Sequence, residues 1–218
     1  MKYKMMVADP PYGFSDKLNH SDVARGAEAN YPILSSKDIM DLPIPDIMDP
    51  SGSVIALWVP SSLMNLGIDL MDKWGFDIKQ NWIWCKTVKD PFAKIKKQIK
   101  NNQAIDWDKI NFDDFMAFGM GRLARGAHEI ALIGTKGKIY GDLKNNSQRT
   151  VFHHPNTKHS KKPEILQNRL ETMFPSYIDE GKAIEIFARR ERKGWLCIGN
   201  EVGSRKDIRE SLKEIIAG

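Results

Sequence analysis

A short motif near the start of the chain carries the residues best suited to chemistry: Asp9, Pro10, Pro11 and Tyr12. Proline fixes its own φ and donates no backbone hydrogen bond, and it holds the residue before it in an extended conformation. The motif therefore predicts a rigid corner on which a carboxylate, free carbonyls and an aromatic ring lie close together. Such a corner suits a planar ligand that carries an amine.

Further charged side chains would flank this corner. Glu129, at the start of a later strand, could contact a substrate or cap its loop.

His153, His154 and His159 lack a nearby cysteine and the i, i+4 spacing of a metal-binding helix, so we expect no metal site. Basic residues in the loops could neutralise phosphates or form a solvated face. They are Arg122, Arg125, Lys136, Lys138, Lys144, Arg149, Lys158 and Lys161.

The composition is that of a soluble globular chain. It has 218 residues, of which 41% are hydrophobic and 28% are charged, with a net charge of +5. This length suits one α/β domain, or one domain with an insertion. No apolar run approaches the roughly 20 residues of a membrane span, and the start is too short for a signal peptide. The two cysteines show no paired spacing, so we expect a reducing cytoplasm.

Predicted strands and helices alternate along the chain. This alternation favours a mostly parallel sheet with helices on both faces. Ligands of such sheets bind outside the carboxyl ends of the strands, where the Asp9 motif lies. Strands are predicted at residues 4–8, 53–59, 76–84, 128–137, 182–188 and 195–201. Helices are predicted after Ser35, from Pro60 to Trp74, from about Pro163 and after Ser204 or Asp207.

Three long connections interrupt this pattern. Residues 13–35 and 138–159 are polar and predict loops. Residues 88–118 are first rich in lysine and then acidic and aromatic, which predicts an inserted loop or short helices within a single domain of residues 1–218. This arm is either a solvated excursion or a contact for substrate.

The tetrapeptide resembles the signature of S-adenosylmethionine-dependent methyltransferases that act on exocyclic amino groups of bases. Other motifs occur in matching order: Leu-Pro at 42–43, Trp58, Trp-x-Lys at 84–86, and the segments 119–137, 159–164 and 185–201. Together they resemble the MT-A70-like family of adenine amino-methyltransferases over nearly the whole chain except 88–118. The resemblance implies a Rossmann-like α/β sheet that is circularly permuted, with the catalytic motif first and the cofactor segment last.

The resemblance also implies a mechanism. Asp9 and the Pro10 carbonyl would accept hydrogen bonds from the adenine amine, and Tyr12 would stack on a base that has been flipped out of a duplex. Positioning and electrostatics would supply most of the catalysis, without a covalent intermediate. Neither Cys85 nor Cys197 follows a proline, which disfavours methylation of a cytosine ring carbon.

The resemblance assigns the cofactor to the later segments. Asn200 and Glu201 would bind ribose hydroxyls, and Lys162 would reach the methionine carboxylate. Arg189 would contact the ribose or the carboxylate. Phe187 would pack on the adenine ring of the cofactor, or simply belong to the core.

Asp9 would also lie near the amino group of the cofactor. Contacts to substrate are expected from Tyr12, Lys86, Arg122, Arg125 and Glu129. The family often carries an acidic cofactor ligand before the motif, but the eight residues that precede Asp9 include none.

Tyrosine, where the messenger-RNA enzymes commonly have tryptophan, favours DNA as the substrate. Three competing functions stay open: the same reaction on RNA, methylation of the cytosine amino group, and a non-catalytic nucleic-acid-binding subunit. We expect nucleic acid as the partner, no membrane, room for a homodimer, and the cytoplasm of a bacterium or of a phage-infected host.

Overall fold

The computed structural model of the chain describes residues 1–13, 34–119, 121, 123–156, 161–203 and 207–218. Seven strands occur in these ranges: β1 Met5–Ala8, β2 Gly52–Val59, β3 Asp77–Thr87, β4 His128–Gly137, β5 Val151–Pro155, β6 Ala183–Ile186 and β7 Trp195–Ile198. They form one sheet in the order β5-β3-β4-β2-β1-β6-β7.

The helices in the same ranges are α1 Ser36–Met40, α2 Ile44–Ile47, α3 Met64–Lys73, α4 Ala93–Lys100, α5 Ile165–Met173, α6 Pro175–Asp179 and α7 Ile208–Ala217. Short 3-10 turns occupy Ser61–Leu63, Trp107–Lys109 and Phe112–Phe115. None of the helices described is long and apolar enough to cross a membrane.

The sheet confirms the predicted α/β fold. β1 pairs in parallel with β2 and β6, and β7 extends this parallel set. β4 runs antiparallel between β2 and β3, and β5 pairs in parallel with β3 at the sheet edge. The result is a mixed sheet of the methyltransferase type, whereas the circular permutation stays a prediction.

Every residue of β1 and β2 is buried, because helices cover both faces of these central strands. Two apolar clusters result, one on each face. Residues of α1, α2, α3 and α7 contribute to the first cluster, and residues of α5 and α6 contribute to the second. β1 is therefore held from both sides, which fixes the position of the residue that follows it.

The predicted loop at 138–159 is partly wrong, because β5 lies within it. The sequence of β5 gives little sign of a strand, because it contains no apolar run. In the structure, Val151 and His153 are exposed. The ladder of β5 with residues 83–87 of β3 supplies the backbone hydrogen bonds instead. Most of the loop predicted at 13–35, and the predicted helix start at Ser204, lie outside the described residues.

The helix predicted after Ser35 is confirmed, with a capping box in which the Ser35 hydroxyl accepts from the Asp38 amide. Asp207 caps α7 in a similar way by accepting from the Arg209 amide. The arm at 88–118 contains α4 and two 3-10 turns, as expected for short helices.

Candidate active site

The strand order has a switch point between β1 and β6, where a ligand crevice is expected. These strands are parallel neighbours, yet the chain proceeds from β1 to β2 on one side and from β6 to β7 on the other. Such a reversal opens a ligand site at the carboxyl ends of the two strands. Asp9 follows β1 and Phe187 follows β6, so the two segments singled out in the sequence meet at this point.

Four charged side chains form a continuous network at this edge. Lys162 Nζ lies 2.8 Å from both carboxylate oxygens of Asp9 and 3.1 Å from Glu129 Oε2. Lys86 Nζ lies 2.6 Å from Glu129 Oε1. The order is negative, positive, negative, positive, so the network is electrically balanced. It joins the end of β1 to β3, β4 and the segment before α5.

Two tryptophans lie beneath the cations. Lys162 Nζ is 5.5 Å from the centre of the Trp58 ring, and Lys86 Nζ is 5.1 Å from that of Trp84, both within cation–π range. The two rings meet edge to face at 6.4 Å. Trp84 Nε1 donates to the His154 carbonyl at 2.9 Å, which fixes its orientation. The network thus rests on rigid, buried aromatic rings.

The pKa values follow from this pairing. Burial alone would raise the pKa of Glu129, but Lys162 and Lys86 outweigh burial and lower it. Burial alone would lower the pKa of Lys162, but Asp9 and Glu129 outweigh burial and raise it. Both groups are therefore charged at neutral pH, each because of its neighbours.

The expectation of free carbonyls at the corner is wrong for Pro10. The Tyr12 amide donates to the Pro10 carbonyl at 2.8 Å, which closes a tight turn. A carbonyl oxygen has two lone pairs, so one acceptor position remains for a substrate amine. Pro11 is half-buried within this turn.

Tyr12 is more buried than a stacking residue would need to be. Its side chain lies in the core with 4% of the residue exposed, and its hydroxyl donates to the Trp58 carbonyl at 2.9 Å. Burial, with a smaller contribution from the Asp9 charge, holds the pKa of Tyr12 well above its ordinary value. The ring fixes the corner to β2, and its predicted stacking on a base stays a prediction.

Four of the six predicted cofactor residues, Phe187, Arg189, Asn200 and Glu201, follow the ends of β6 and β7. Arg189 Nε lies 3.6 Å from Glu201 Oε1, and Asn200 is exposed beside them. Phe187 packs partly against the core and has a φ of 61°, a strained value for a residue other than glycine. Strain of this kind at a strand end is typical of ligand sites.

Gly199 lets the two strand ends come close together. A Cβ on Gly199 would lie 2.3 Å from the Ala188 carbonyl oxygen, so no other residue fits. The side chains here include donors and acceptors of the kinds that bind a ribose and a carboxylate. The assignment of these segments to S-adenosylmethionine stays a prediction.

The loop after β6 is braced against α5. Arg192 Nε lies 2.7 Å from Glu171 Oε1, which also accepts from Trp195 Nε1 at 2.6 Å. Arg190 and Arg192 both contact Glu164 before α5. These pairs fix the loop that carries Arg189.

The remaining predicted substrate residues divide into two groups. Lys86 and Glu129 lie in the network with Asp9. Arg125 lies in the loop before β4 and contacts the Phe118 ring, whereas Arg122 lies outside the described residues. Lys162, predicted to reach the methionine carboxylate of the cofactor, contacts Asp9 and Glu129, and its pairing with the cofactor stays a prediction.

Sequence reasoning missed the role of Trp58 and Trp84. Both stand out in the sequence only as motif residues: Lys86 follows Trp84 by two residues, but no lysine is near Trp58, so nothing local indicated its pairing with Lys162. It also missed that one lysine would join both carboxylates. Among the residues described, no group of three or more His, Cys, Asp or Glu could hold a metal ion.

Residues 3–105 and 97–201 match the family model MT-A70, and together these matches cover most of the chain. The chain belongs to the MT-A70 family. Members of the MT-A70 family are in general S-adenosylmethionine-dependent methyltransferases with a Rossmann-like sheet. The fold and the position of the crevice agree with this membership.

Three curated relatives illustrate the similarity of this MT-A70 chain. It is 23% identical over 213 residues to the N(6)-adenosine-methyltransferase MT-A70-like protein of Arabidopsis thaliana, which covers 97% of this chain and 25% of that protein. It is 24% identical over 204 residues to the catalytic subunit of the Homo sapiens N(6)-adenosine-methyltransferase, covering 92% and 28%. It is 22% identical over 203 residues to the Homo sapiens N(6)-adenine-specific methyltransferase METTL4, covering 92% and 37%.

The MT-A70 chain thus spans well under half the length of each of these relatives. All three are eukaryotic, so they do not support the predicted bacterial or phage origin.

Proposed function

We propose that this MT-A70 chain transfers a methyl group from S-adenosylmethionine to the exocyclic N6 amine of adenine in nucleic acid. The observation that carries the proposal is the position of Asp9. Its carboxylate lies at the carboxyl end of β1, at the crevice shared with β6, and is held by Lys162 at 2.8 Å. The names of the relatives, which specify adenosine or adenine, support the same reaction.

The chemistry asks the protein to position a poor nucleophile. The lone pair of the adenine amine is delocalised into the ring, so the amine must be held and turned toward the methyl group. Asp9 and the second lone pair of the Pro10 carbonyl would accept its two hydrogens. Bound S-adenosylmethionine supplies an electrophilic methyl on a positively charged sulfur.

Lys162 would hold the Asp9 carboxylate in position while the amine binds. A carboxylate has about four acceptor positions, so Asp9 can accept from Lys162 and from the amine together. Glu129 and Lys86 complete the charge balance on the side away from Asp9. A balanced, partly buried site makes each of these interactions stronger than it would be in water.

The cofactor would lie across the ends of β6 and β7. We propose that Asn200 and Glu201 bind its ribose, that Arg189 binds the ribose or the carboxylate, and that Phe187 lies along its adenine. Lys162 would reach the methionine carboxylate only by sharing its contacts with Asp9 and Glu129. We also propose that Asp9 contacts the amino group of the cofactor.

We propose DNA as the first substrate to test, because Tyr12 takes the place of tryptophan, with RNA as the second. Arg122, Arg125 and the network lysine Lys86 would contact the nucleic acid. Methylation of a cytosine amine would use the same corner, whereas a binding subunit without activity would not need it. The intact corner around Asp9 favours an enzyme over such a subunit.

Methyl transfer from labelled S-adenosylmethionine to duplex DNA, single-stranded DNA and RNA tests the proposal. Products are digested to nucleosides and identified by mass. We expect methyladenine, and a loss of at least about 100-fold in Asp9→Asn, which keeps the shape but removes the charge. The matched control is Asp77→Asn, an exposed aspartate at the opposite end of β3, which should retain activity.

The remaining outcomes separate the competing functions. Methylcytosine would keep the mechanism and overturn the base assignment. An absence of transfer to every substrate, with no cofactor binding by calorimetry, would overturn the enzyme and favour a binding subunit. Equal activity in wild type and Asp9→Asn would exclude the role given to Asp9.

A further inference from the structure

Phe118 lies exposed one residue after the point where the chain is hydrogen-bonded to the backbone of Lys86. The arm at 88–118 returns to the sheet where Met116 pairs with Thr87 and the Ala117 amide donates to the Lys86 carbonyl at 2.8 Å. Phe118 follows directly, and 81% of it is exposed. The backbone that leads into Phe118 is thus anchored near the end of β3, at the residue whose ammonium contacts Glu129.

Arg125 contacts this ring. Its guanidinium carbon lies 4.6 Å from the centre of the Phe118 ring, within the range of a cation–π interaction. Because Phe118 remains largely exposed despite this contact, the ring still offers surface to solvent. The pair therefore presents a flat apolar surface with a positive charge attached to it.

The loop that joins the two residues is closed at its base. A Cβ on Gly119 would lie 2.0 Å from the Gly126 carbonyl oxygen, so the two sides of the loop touch through backbone. Only residues without a side chain allow this approach. The closure places Arg125 beside Phe118.

The two other most exposed aromatic residues of the arm are less suited to a polyanion. Trp107 is flanked by Asp106 and Asp108, and Phe112 is followed by Asp113 and Asp114. Carboxylates at these positions would repel phosphate groups. Phe118 has an arginine as its neighbour instead.

We propose that Phe118 and Arg125 form a stacking platform for the nucleotide next to the target adenine. This inference rests on the proposed function, because an adenine held at Asp9 leaves its neighbours outside the crevice, and Phe118 is linked to the charged network through the hydrogen bond between Ala117 and Lys86. Bases stack on aromatic side chains with little regard to sequence, and a guanidinium can contact the adjoining phosphate. The occupant is an unpaired strand of the substrate nucleic acid.

The first test uses fluorescence. A 12-nucleotide single strand carries one adenine with 2-aminopurine beside it, in DNA and RNA forms, and S-adenosylhomocysteine is added to prevent turnover. Stacking quenches 2-aminopurine, so we expect quenching with wild type, its loss in Phe118→Ala and its recovery in Phe118→Trp. The control is Tyr140→Ala, a 71% exposed aromatic residue beyond the opposite end of β4, which should quench like wild type.

The second test uses kinetics. Phe118→Ala should raise the KM for the 12-nucleotide strand by roughly 5- to 100-fold, with kcat at saturation little changed. Arg125→Ala should also reduce the slope of log affinity against log salt concentration by about 1, the value for one lost phosphate contact. Arg125→Lys should keep the wild-type slope. Cofactor affinity should be the same in all these variants.

The results overturn the platform if Phe118→Ala leaves both quenching and KM unchanged, or if Tyr140→Ala has an equal effect. The platform is also overturned if light scattering shows that Phe118→Ala converts a dimer to a monomer while the KM is unchanged. A wild type that transfers no methyl group but still quenches 2-aminopurine through Phe118 would refute the proposed function and leave the platform standing.

Discussion

Glu129 is the residue on which the charge balance of the site depends. It lies between Lys162 and Lys86, and its two carboxylate oxygens contact one lysine each. A partly buried charge is stable only when its partners are present, and removing one partner leaves the other exposed to the full cost of burial. Loss of the Glu129 charge should therefore affect both lysines.

Glu129→Gln should cost about 1–3 kcal/mol of unfolding free energy at pH 7, because it keeps the shape and removes the charge. The lysines lower the pKa of Glu129 below its ordinary value of 4.5, so the folded state favours the charged form. The stabilisation is thus complete above pH 4.5 and is lost as the pH falls through the lowered pKa. Denaturant unfolding of both proteins from pH 7 to pH 3 measures the difference.

The difference between the two proteins should shrink at the acidic end, where a protonated Glu129 resembles glutamine. A difference that stays constant across this range would show that the carboxylate is not ionised in the folded protein, or that its charge does not stabilise the fold.

Among the elements, the ends of β6 and β7 depend most on a single position. Gly199 touches the backbone at Ala188 and Phe187 so closely that a methyl group would have to displace a strand end. Interiors of this density do not absorb an added carbon without backbone movement. The spacing of the two strand ends, and with it the crevice, is therefore set by one glycine.

Gly199→Ala should destabilise the fold by about 1–3 kcal/mol and should weaken S-adenosylmethionine binding, because Asn200 and Glu201 would move with the strand end. The matched control is Gly141→Ala, since nothing lies within 4 Å of a Cβ at that position. Thermal unfolding and calorimetric titration of the cofactor give the two values. Unchanged affinity in Gly199→Ala would separate the cofactor from this end of the sheet.

Elements with a strong local pattern could be predicted, and elements that depend on distant partners could not. β1 and β4 coincide with apolar runs, so their positions could be predicted directly from the sequence. β5 has no such run and exists because β3 supplies its ladder. The same limit applies to the site: the stiff corner at Asp9 was predictable, but its pairing with Lys162, 153 residues away, was not.

At the scale of the whole molecule, the two ends of the strands carry different groups of residues. The charged network lies at the carboxyl end of β1, and a cluster of Lys4, Asp142 and Tyr177 lies at its amino end. Asp142 accepts from the Tyr177 hydroxyl at 2.9 Å and lies 3.2 Å from Lys4 Nζ. Burial, and then the hydrogen bond and charge of Asp142, hold the pKa of Tyr177 well above its ordinary value.

Asp142→Ala should lower the unfolding free energy by about 1–2 kcal/mol, because the Tyr177 hydroxyl loses its acceptor, and should leave kcat/KM unchanged. Asp77→Ala, at an exposed position at the same end of the strands, should stay within about 0.5 kcal/mol of wild type. Thermal unfolding and the methyl transfer assay compare the three proteins. A lower kcat/KM in Asp142→Ala, measured at a temperature at which this variant is still folded, would show that the two ends of the strands are coupled.

The strand order has a consequence for the synthesis of the protein. β1 contains residues 5–8, yet its second neighbour in the sheet is β6, at residues 183–186. A chain that emerges from the ribosome in order must therefore keep a fully apolar strand without half of its hydrogen-bonded surroundings until most of the other strands have been made. Pairings this distant slow folding and expose unpaired strand edges in the meantime. The candidate active site, which begins one residue after β1, is thus among the last parts of the molecule to be completed.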